Sequence, residues 1–238
     1  MSEIAKRSSD ARARTASVAP VGGAIKRLID IILAVVGIGL LLPLLVFCAV
    51  ATFLASGGSI IARHRRVGFR GRAFDCLKFE TSAPKSTRRV HLCSSADSAA
   101  RDSRETEARP DEPRVTPLGA VFRKAGLDEL PQMFNVLRGD MSIVGPRPIS
   151  DDEIDYYADK AAAYLACKPG ITGLWRVSGQ ARYSERVSVD CAYAKSWSLL
   201  LDAKIAISTL FAMQGPTAVR LGAIFFDKFF TNKEERER

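Results

Sequence analysis

Histidine is nearly missing from this chain: His64 and His91 are the only two in 238 residues. An imidazole-based triad or a multi-histidine metal site has too little to work with. The five cysteines, at 48, 76, 93, 167 and 191, form no CxxC pair. That scatter speaks against a zinc site or a disulfide scaffold and suits a reducing compartment. No GxxxxGK[ST] string occurs, so this is not a P-loop enzyme. No internal repeat is present. Acid is in deficit, 26 Asp and Glu against 35 Lys and Arg, leaving a net charge of +9. Such a balance suits nucleic acid, anionic lipid or phosphorylated substrates, and an ordinary solvated basic surface explains it equally. No nucleic-acid-binding motif accompanies it, so no nucleic-acid partner is expected.

What the chain does have is one long apolar run, Leu28 to Leu54, with a single charge at Asp30. At ~1.5 Å per residue it would reach roughly 40 Å, enough for a ~30 Å hydrocarbon core. It is too long for a cleavable signal peptide, and no small-residue cleavage pattern follows it. Pro43 predicts a kink or break, and the arms on either side, about 22 and 16 Å, are too short to cross separately. Lys26 and Arg27 precede the run and Arg63, Arg65 and Arg66 follow it. Basic flanks at both ends point to a re-entrant helical hairpin with both ends cytoplasmic. A kinked spanning helix is the even alternative.

The organisation then reads as a disordered basic tail over 1–21, a membrane re-entrant helix over 22–55, a cytoplasmic catalytic domain over 56–213, and an amphipathic segment over 214–238. Ser56-Gly-Gly-Ser59 is a turn, and Arg65 to Phe79 a β-hairpin around Phe69-Arg-Gly71. The Ser/Arg-rich stretch 81–112 lacks any period and reads as a mobile loop. Helices are expected over Ala120–Lys124, Gln132–Arg138, Asp151–Cys167, Ser184–Lys195 and Leu199–Met213, and a strand or extended segment over Ile171–Gly179. The fold class is mainly α with a small β-hairpin, a membrane-anchored single catalytic domain.

Chemistry concentrates at Asp128-Glu129, before Leu130 and Pro131. Pro131 belongs in the first turn of a helix, which places the helix start near Asp128 and lets Asp128 cap it. Amide donors and the helix dipole would then favour its ionised form, which can attack phosphorus. Glu129 suits a general base or a metal-water partner. For a bare D-E-x-P, a simple cap beside a solvated acid is the commoner outcome. Arg147, stiffened between Pro146 and Pro148, is suited to bidentate phosphate binding or to a structural ion pair. Arg123 and, further back, Lys78 are candidates of the same kind. Trp175, in Lys168-Pro-Gly-Ile-Thr-Gly-Leu-Trp175, suits stacking on a base or sugar, or a place in the core.

The order of these pieces resembles the bacterial sugar transferase family, the monotopic phosphoglycosyl transferases. The matching strings are Lys26-Arg-Leu-Ile-Asp30, Cys76-Leu-Lys-Phe79, Leu127-Asp-Glu-Leu-Pro-Gln132, Asn135-Val-Leu-Arg-Gly-Asp-Met-Ser142, Val144-Gly-Pro-Arg-Pro148, Lys168 to Trp175, and Trp197-Ser-Leu with Asp202. The resemblance implies transfer of a sugar phosphate, galactose- or glucose-1-phosphate, from a UDP-sugar to undecaprenyl phosphate, with release of UMP. This would be the first step of exopolysaccharide assembly, at the cytoplasmic face of the inner membrane. It implies Asp128 as nucleophile and Mg²⁺ ligand with Glu129 as its dyad partner, and substrate phosphates on Arg123 and Arg147, with Lys78 added as a phosphate-binding candidate from the residues themselves. It implies Mg²⁺, membrane lipid and downstream glycosyltransferases as cofactor and partners, leaves a homodimer open, and favours the re-entrant hairpin. The sugar and the polyprenyl length stay unassigned.

Two departures stand out. Leu42 precedes Pro43 where the family has a small polar residue. Glu80 takes the place of the family's arginine in Lys-Phe-Arg-Thr-Met, and the pattern returns only at Pro113. A variable loop is the first account of that stretch; compensating gene frameshifts around Glu80 and Asp111 are the second. The departures motivate an alternative function: a catalytically impaired, membrane-bound assembly or regulatory protein of the same fold.

Overall fold

The computed structural model describes residues 19–82, 115–178 and 183–212. The predicted basic tail (to residue 18), nearly all of the 81–112 loop and the C-terminal amphipathic segment lie outside them. The described residues are mostly helical and separate into two compact units. Of the described residues, the larger gathers 19–40, Arg63–Cys76, 132–178 and 183–212; the smaller gathers Leu41–Ala62, 77–82 and 115–131.

Helix α1, Gly23–Ser56, runs 34 residues with Pro43 inside it. The two arms expected on either side of Pro43 are thus one helix in hydrogen-bonding terms. By length and composition α1 could cross a membrane, and only 17% of its most apolar stretch is buried. Its pattern is inverted. Lys26, Asp30 and Ala34 are buried, as are Leu45, Cys48, Thr52 and Ser56, while Leu28, Ile32, Val36, Leu40, Phe47 and Leu54 are exposed. A water-soluble helix hides the opposite face.

In the larger unit the polar start of α1 is tied down side chain by side chain. Lys26 Nζ lies 2.5 Å from Asp202 Oδ2. Arg27 donates to the carbonyls of Val136 at 2.5 Å and Leu137 at 2.9 Å. These are end carbonyls of helix α3, Gln132–Arg138, where that of Val136 also accepts the Gly139 amide at 3.0 Å. Asp30 accepts from the Ile143 amide at 3.0 Å.

A hairpin, β1 (Ile61–Val67) and β2 (Ala73–Phe79), turns through Phe69–Gly71 as predicted, with Arg70 in the left-handed region at φ 57°. In the smaller unit it is followed by α2, Pro117–Ala125, capped by Thr116 and ended by left-handed Gly126 at φ 68°. In the larger unit, strands β3 (Ser142–Val144) and β4 (Gly170–Thr172) pair in parallel, Ser142 against Gly170 and Val144 against Thr172. This pair was not foreseen.

Two sequence expectations need correction. Asp151–Cys167 is not one helix but α4 (Asp151–Ile154), a 3-10 stretch (Asp155–Lys160) and α5 (Ala161–Leu165), because Ala158 turns the chain at φ 43°. The expected apolar positions Ile154, Tyr157, Ala161, Tyr164 and Leu165 are nonetheless all buried together. The Ile171–Gly179 segment is extended only through Thr172 and then becomes the short helix α6, Leu174–Val177. Helices α7 (Tyr183–Ser196) and α8 (Leu199–Ala212) lie where expected. With Val144, Cys167, Leu174 and Val177, they bury Val189, Tyr193, Leu201 and Ile205.

Candidate active site

The smaller unit brings four of the five predicted site residues into one neighbourhood: Lys78, Arg123, Asp128 and Glu129. Gly126 reverses the chain after α2, and a 3-10 turn, Leu127–Glu129, carries the two acids. Asp128 therefore sits in a turn of its own, and α3 begins only at Gln132, after Pro131. The expected helix-capping role of Asp128 is corrected accordingly, and so is the electrostatics. Asp128 is only 8% exposed. Burial raises its pKa above the usual carboxylate value, against the lowering influence of Lys78, its own backbone and Arg123, while Glu129 raises it further. Loss of water outweighs the favourable charges.

Lys78 reaches this turn from β2. Its Nζ lies 3.0 Å from Glu129 Oε1 and 3.9 Å from Asp128 Oδ2. One ammonium thus serves both acids and reduces their mutual repulsion. Arg123 lies one turn from the end of α2, and its Nε donates to Thr81 Oγ1 at 2.9 Å. Thr81 in turn accepts the Thr116 amide at 2.9 Å on its carbonyl. The approach is close enough that a Cβ on Gly119 would collide with the Thr81 carbonyl. Thr81 was not predicted as a site residue, although it is the retained threonine of the family string. Glu80, the reversed charge, accepts the Ser82 amide at 2.9 Å.

Arg147 belongs to the larger unit, in surroundings of its own. Gly145 and Pro146 are sewn to β4: the Gly145 amide donates to Thr172 O at 2.9 Å and the Gly170 amide to Pro146 O at 2.8 Å. A Cβ at Gly170 would strike Gly145 N, and one at Gly173 would strike Gly145 O. The Gly-Pro-Arg-Pro and Pro-Gly-Ile-Thr-Gly strings are therefore two sides of one close backbone contact. The fully buried Tyr164 hydroxyl accepts the Ile149 amide at 3.3 Å and shares its proton between Val67 O at 2.9 Å and Arg147 O at 3.1 Å. The Arg147 guanidinium lies 5.6 Å from the Trp175 ring centre, and that of Arg176 lies 4.9 Å from it. Trp175 is half-buried against the core, the second of its expected places, with two arginines beside its ring.

A family model described as bacterial sugar transferase matches residues 21–215. The chain belongs to the bacterial sugar transferase family. This sugar transferase is 42% identical over 199 residues to the exopolysaccharide production protein ExoY of Sinorhizobium fredii, covering 82% of this chain and 88% of the relative. It is 40% identical over 188 residues to the undecaprenyl-phosphate galactose phosphotransferase of Salmonella typhimurium, 78% of this chain but 39% of that longer protein. To the UDP-glucose:undecaprenyl-phosphate glucose-1-phosphate transferase of Caulobacter vibrioides it is 36% identical over 195 residues, 78% and 68% of the two chains.

Among the described residues no group of three or more His, Cys, Asp or Glu could cage a metal. Mg²⁺ does not need such a cage. It is commonly held by one or two carboxylates, with waters and substrate phosphates completing the shell. The adjacent hard oxygens of Asp128 and Glu129 in this sugar transferase fit that pattern.

Proposed function

We propose that this chain transfers a sugar phosphate, galactose- or glucose-1-phosphate, from a UDP-sugar to undecaprenyl phosphate, releasing UMP and starting exopolysaccharide assembly. The observation that carries the reading is Asp128: a buried carboxylate beside Glu129, with the Lys78 ammonium 3.9 Å away. In its ionised form an Asp128 oxygen attacks the sugar-bearing phosphorus of the donor. The bond from that phosphorus to the bridging oxygen breaks, and its electron pair leaves with UMP. The resulting acyl phosphate is then attacked by an oxygen of polyprenyl phosphate, which returns the carboxylate and yields the diphosphate-linked sugar. Burial strips water from Asp128 and limits hydrolysis of the intermediate, while Lys78 and Arg123 favour its charged form. Glu129 orients the reacting groups, and Arg123 and Arg147 hold phosphate oxygens. Mg²⁺, held by Asp128 with Glu129, would neutralise the diphosphate when bound.

The inverted pattern of α1 supports membrane anchoring, and the basic flanks support the cytoplasmic face of the inner membrane, where downstream glycosyltransferases would receive the product. Pro43 and the basic flanks support the re-entrant form. Cysteines placed at Ser17 and Ser59, with Cys48 replaced, should both resist an impermeant thiol reagent in intact cells; labelling of one from outside would establish a spanning helix.

The deciding experiment supplies membranes containing the protein with polyprenyl phosphate and each UDP-sugar in turn. UMP release with UDP-galactose or UDP-glucose is expected. If none of the UDP-sugars yields UMP, the second reading is favoured, an impaired assembly or regulatory protein, which the charge reversal at Glu80 motivates.

A further inference from the structure

Arg123 is exposed, and an arginine on the outside of a helix has several rotamers open to it. A group that must meet a phosphate in one geometry needs something to hold it. In the smaller unit that something is Thr81, whose Oγ1 accepts the Arg123 Nε proton at 2.9 Å. Thr81 is only 5% exposed, and its own place is fixed from α2. Its carbonyl accepts the Thr116 amide at 2.9 Å and the Thr116 hydroxyl at 3.3 Å. The next residue, Ser82, pairs with Val115 in an isolated antiparallel bridge. Thr116, Gly119 and Arg123 have the i, i+3, i+7 spacing of one helical face, and Thr81 lies along it. Gly119 makes the room, since a Cβ there would collide with the Thr81 carbonyl and crowd its Cβ. The threonine is thus held at one end of α2 and holds the arginine near the other.

We propose that Thr81 is a positioning residue: by taking the Nε proton of Arg123 it presents the Nη1/Nη2 fork of that guanidinium to the donor's phosphate. The proposal rests on the reading of Arg123 as a phosphate-binding group. A guanidinium has two forks, one that includes Nε and one made by the two Nη groups. Thr81 occupies the first. Nη1 and Nη2 make no hydrogen bond among the described residues, and their fork matches two oxygens of one phosphate. Glu80, beside Thr81, turns a carboxylate oxygen back onto the Ser82 amide at 2.9 Å, and it forms no ion pair with Arg123 among the described residues. The backbone ties the same arginine to the acids: its carbonyl accepts the Gly126 amide at 3.2 Å, and the Gly126 carbonyl accepts the Glu129 amide at 3.3 Å. Arg123 therefore stands between a fixed threonine and the turn that carries Asp128.

The test uses the full-length protein in membranes, with UDP-galactose and UDP-glucose as donors and polyprenyl phosphate as acceptor. Donor KM and kcat are measured for the parent, Thr81→Val, Thr81→Ser, Gly119→Ala, Arg123→Ala and the Thr81→Val/Arg123→Ala pair. Thr81→Val keeps the shape and loses the acceptor, so donor KM should rise roughly five- to tenfold with kcat changed less. Thr81→Ser restores the acceptor and should recover most of that loss. Arg123→Ala should raise KM at least as far, and Thr81→Val should add nothing to it. Gly119→Ala alters neither partner but drives Thr81 off the helix face, so it should raise KM in the same way. This arm covers the case in which Thr81→Val does not fold. A parent-like KM in Thr81→Val and Gly119→Ala, a Thr81→Ser as impaired as Thr81→Val, or full additivity of the pair overturns the proposal while leaving Arg123 in place. A normal donor KM in Arg123→Ala overturns the phosphate reading itself, and the proposal with it.

Discussion

Asp128 and Asp190 are both buried and both have pKa values raised by burial, yet their surroundings have little in common. Asp128 sits in a turn, has an acid for a neighbour and shares a lysine with it. Asp190 sits mid-helix and receives a phenol, Tyr157 Oη, at 2.7 Å. A nucleophile must shed its partners to reach phosphorus, and a turn with one shared ammonium allows that. Asp190, held by a hydrogen bond from inside the core, has no such freedom. Burial alone does not distinguish the two acids; the sharing of the partners does.

The largest test of this contrast is Asp128→Asn. It should lower turnover by on the order of 10⁴-fold or more and abolish a covalent phospho-sugar adduct in intact mass spectrometry. Asp190→Asn should leave the adduct mass in place. Next comes Arg147→Lys. Replacing a planar fork by a point charge should slow UMP release roughly ten- to a hundredfold, ~1.5–3 kcal/mol. Lys78→Ala should be smaller, about tenfold near neutral pH. Lys78 lowers the Asp128 pKa, so its removal should raise it, moving the acid limb of kcat/KM to higher pH. An acid limb that stays in place would separate Lys78 from the nucleophile. Smallest is a stability effect. Asp190 binds its proton more tightly folded than unfolded, so stability should fall as pH rises from the ordinary carboxylate range through about 7. Asp190→Asn should lack that part of the slope in thermal melts between pH 6 and 8.

Much of this was readable from the chain because the signals were local. Pro131 and Gly139 bracket α3, and Phe69-Arg-Gly71 marks the hairpin turn. The spacing of Ile154, Tyr157, Ala161 and Tyr164 identified a buried face even though the single helix was an over-reading. Nothing local announced that Ala158 would take a positive φ without being glycine. The remaining misses are long-range. Lys78 meets Glu129 across 51 residues, and Tyr157 meets Asp190 across 33. Strands of three residues, such as β3 and β4, are too short to show a period. One signal was available and passed over: Asp190 interrupts the apolar stripe of Val187, Cys191 and Ala194 on α7, where a carboxylate needs a reason.

The clamp between Lys26 and Asp202 joins residues 176 positions apart. At a synthesis rate of ~5–20 residues per second, roughly ten to thirty-five seconds separate their appearance. For that interval α1 is already made, its apolar surface in search of a lipid phase, while the carboxylate that will hold Lys26 does not yet exist. On the proposed membrane anchoring, the free ammonium then has water and lipid phosphate to satisfy it, which would detain that end of the helix at the surface. The order of manufacture thus keeps Lys26 without its permanent partner in the fold until Asp202 has been made.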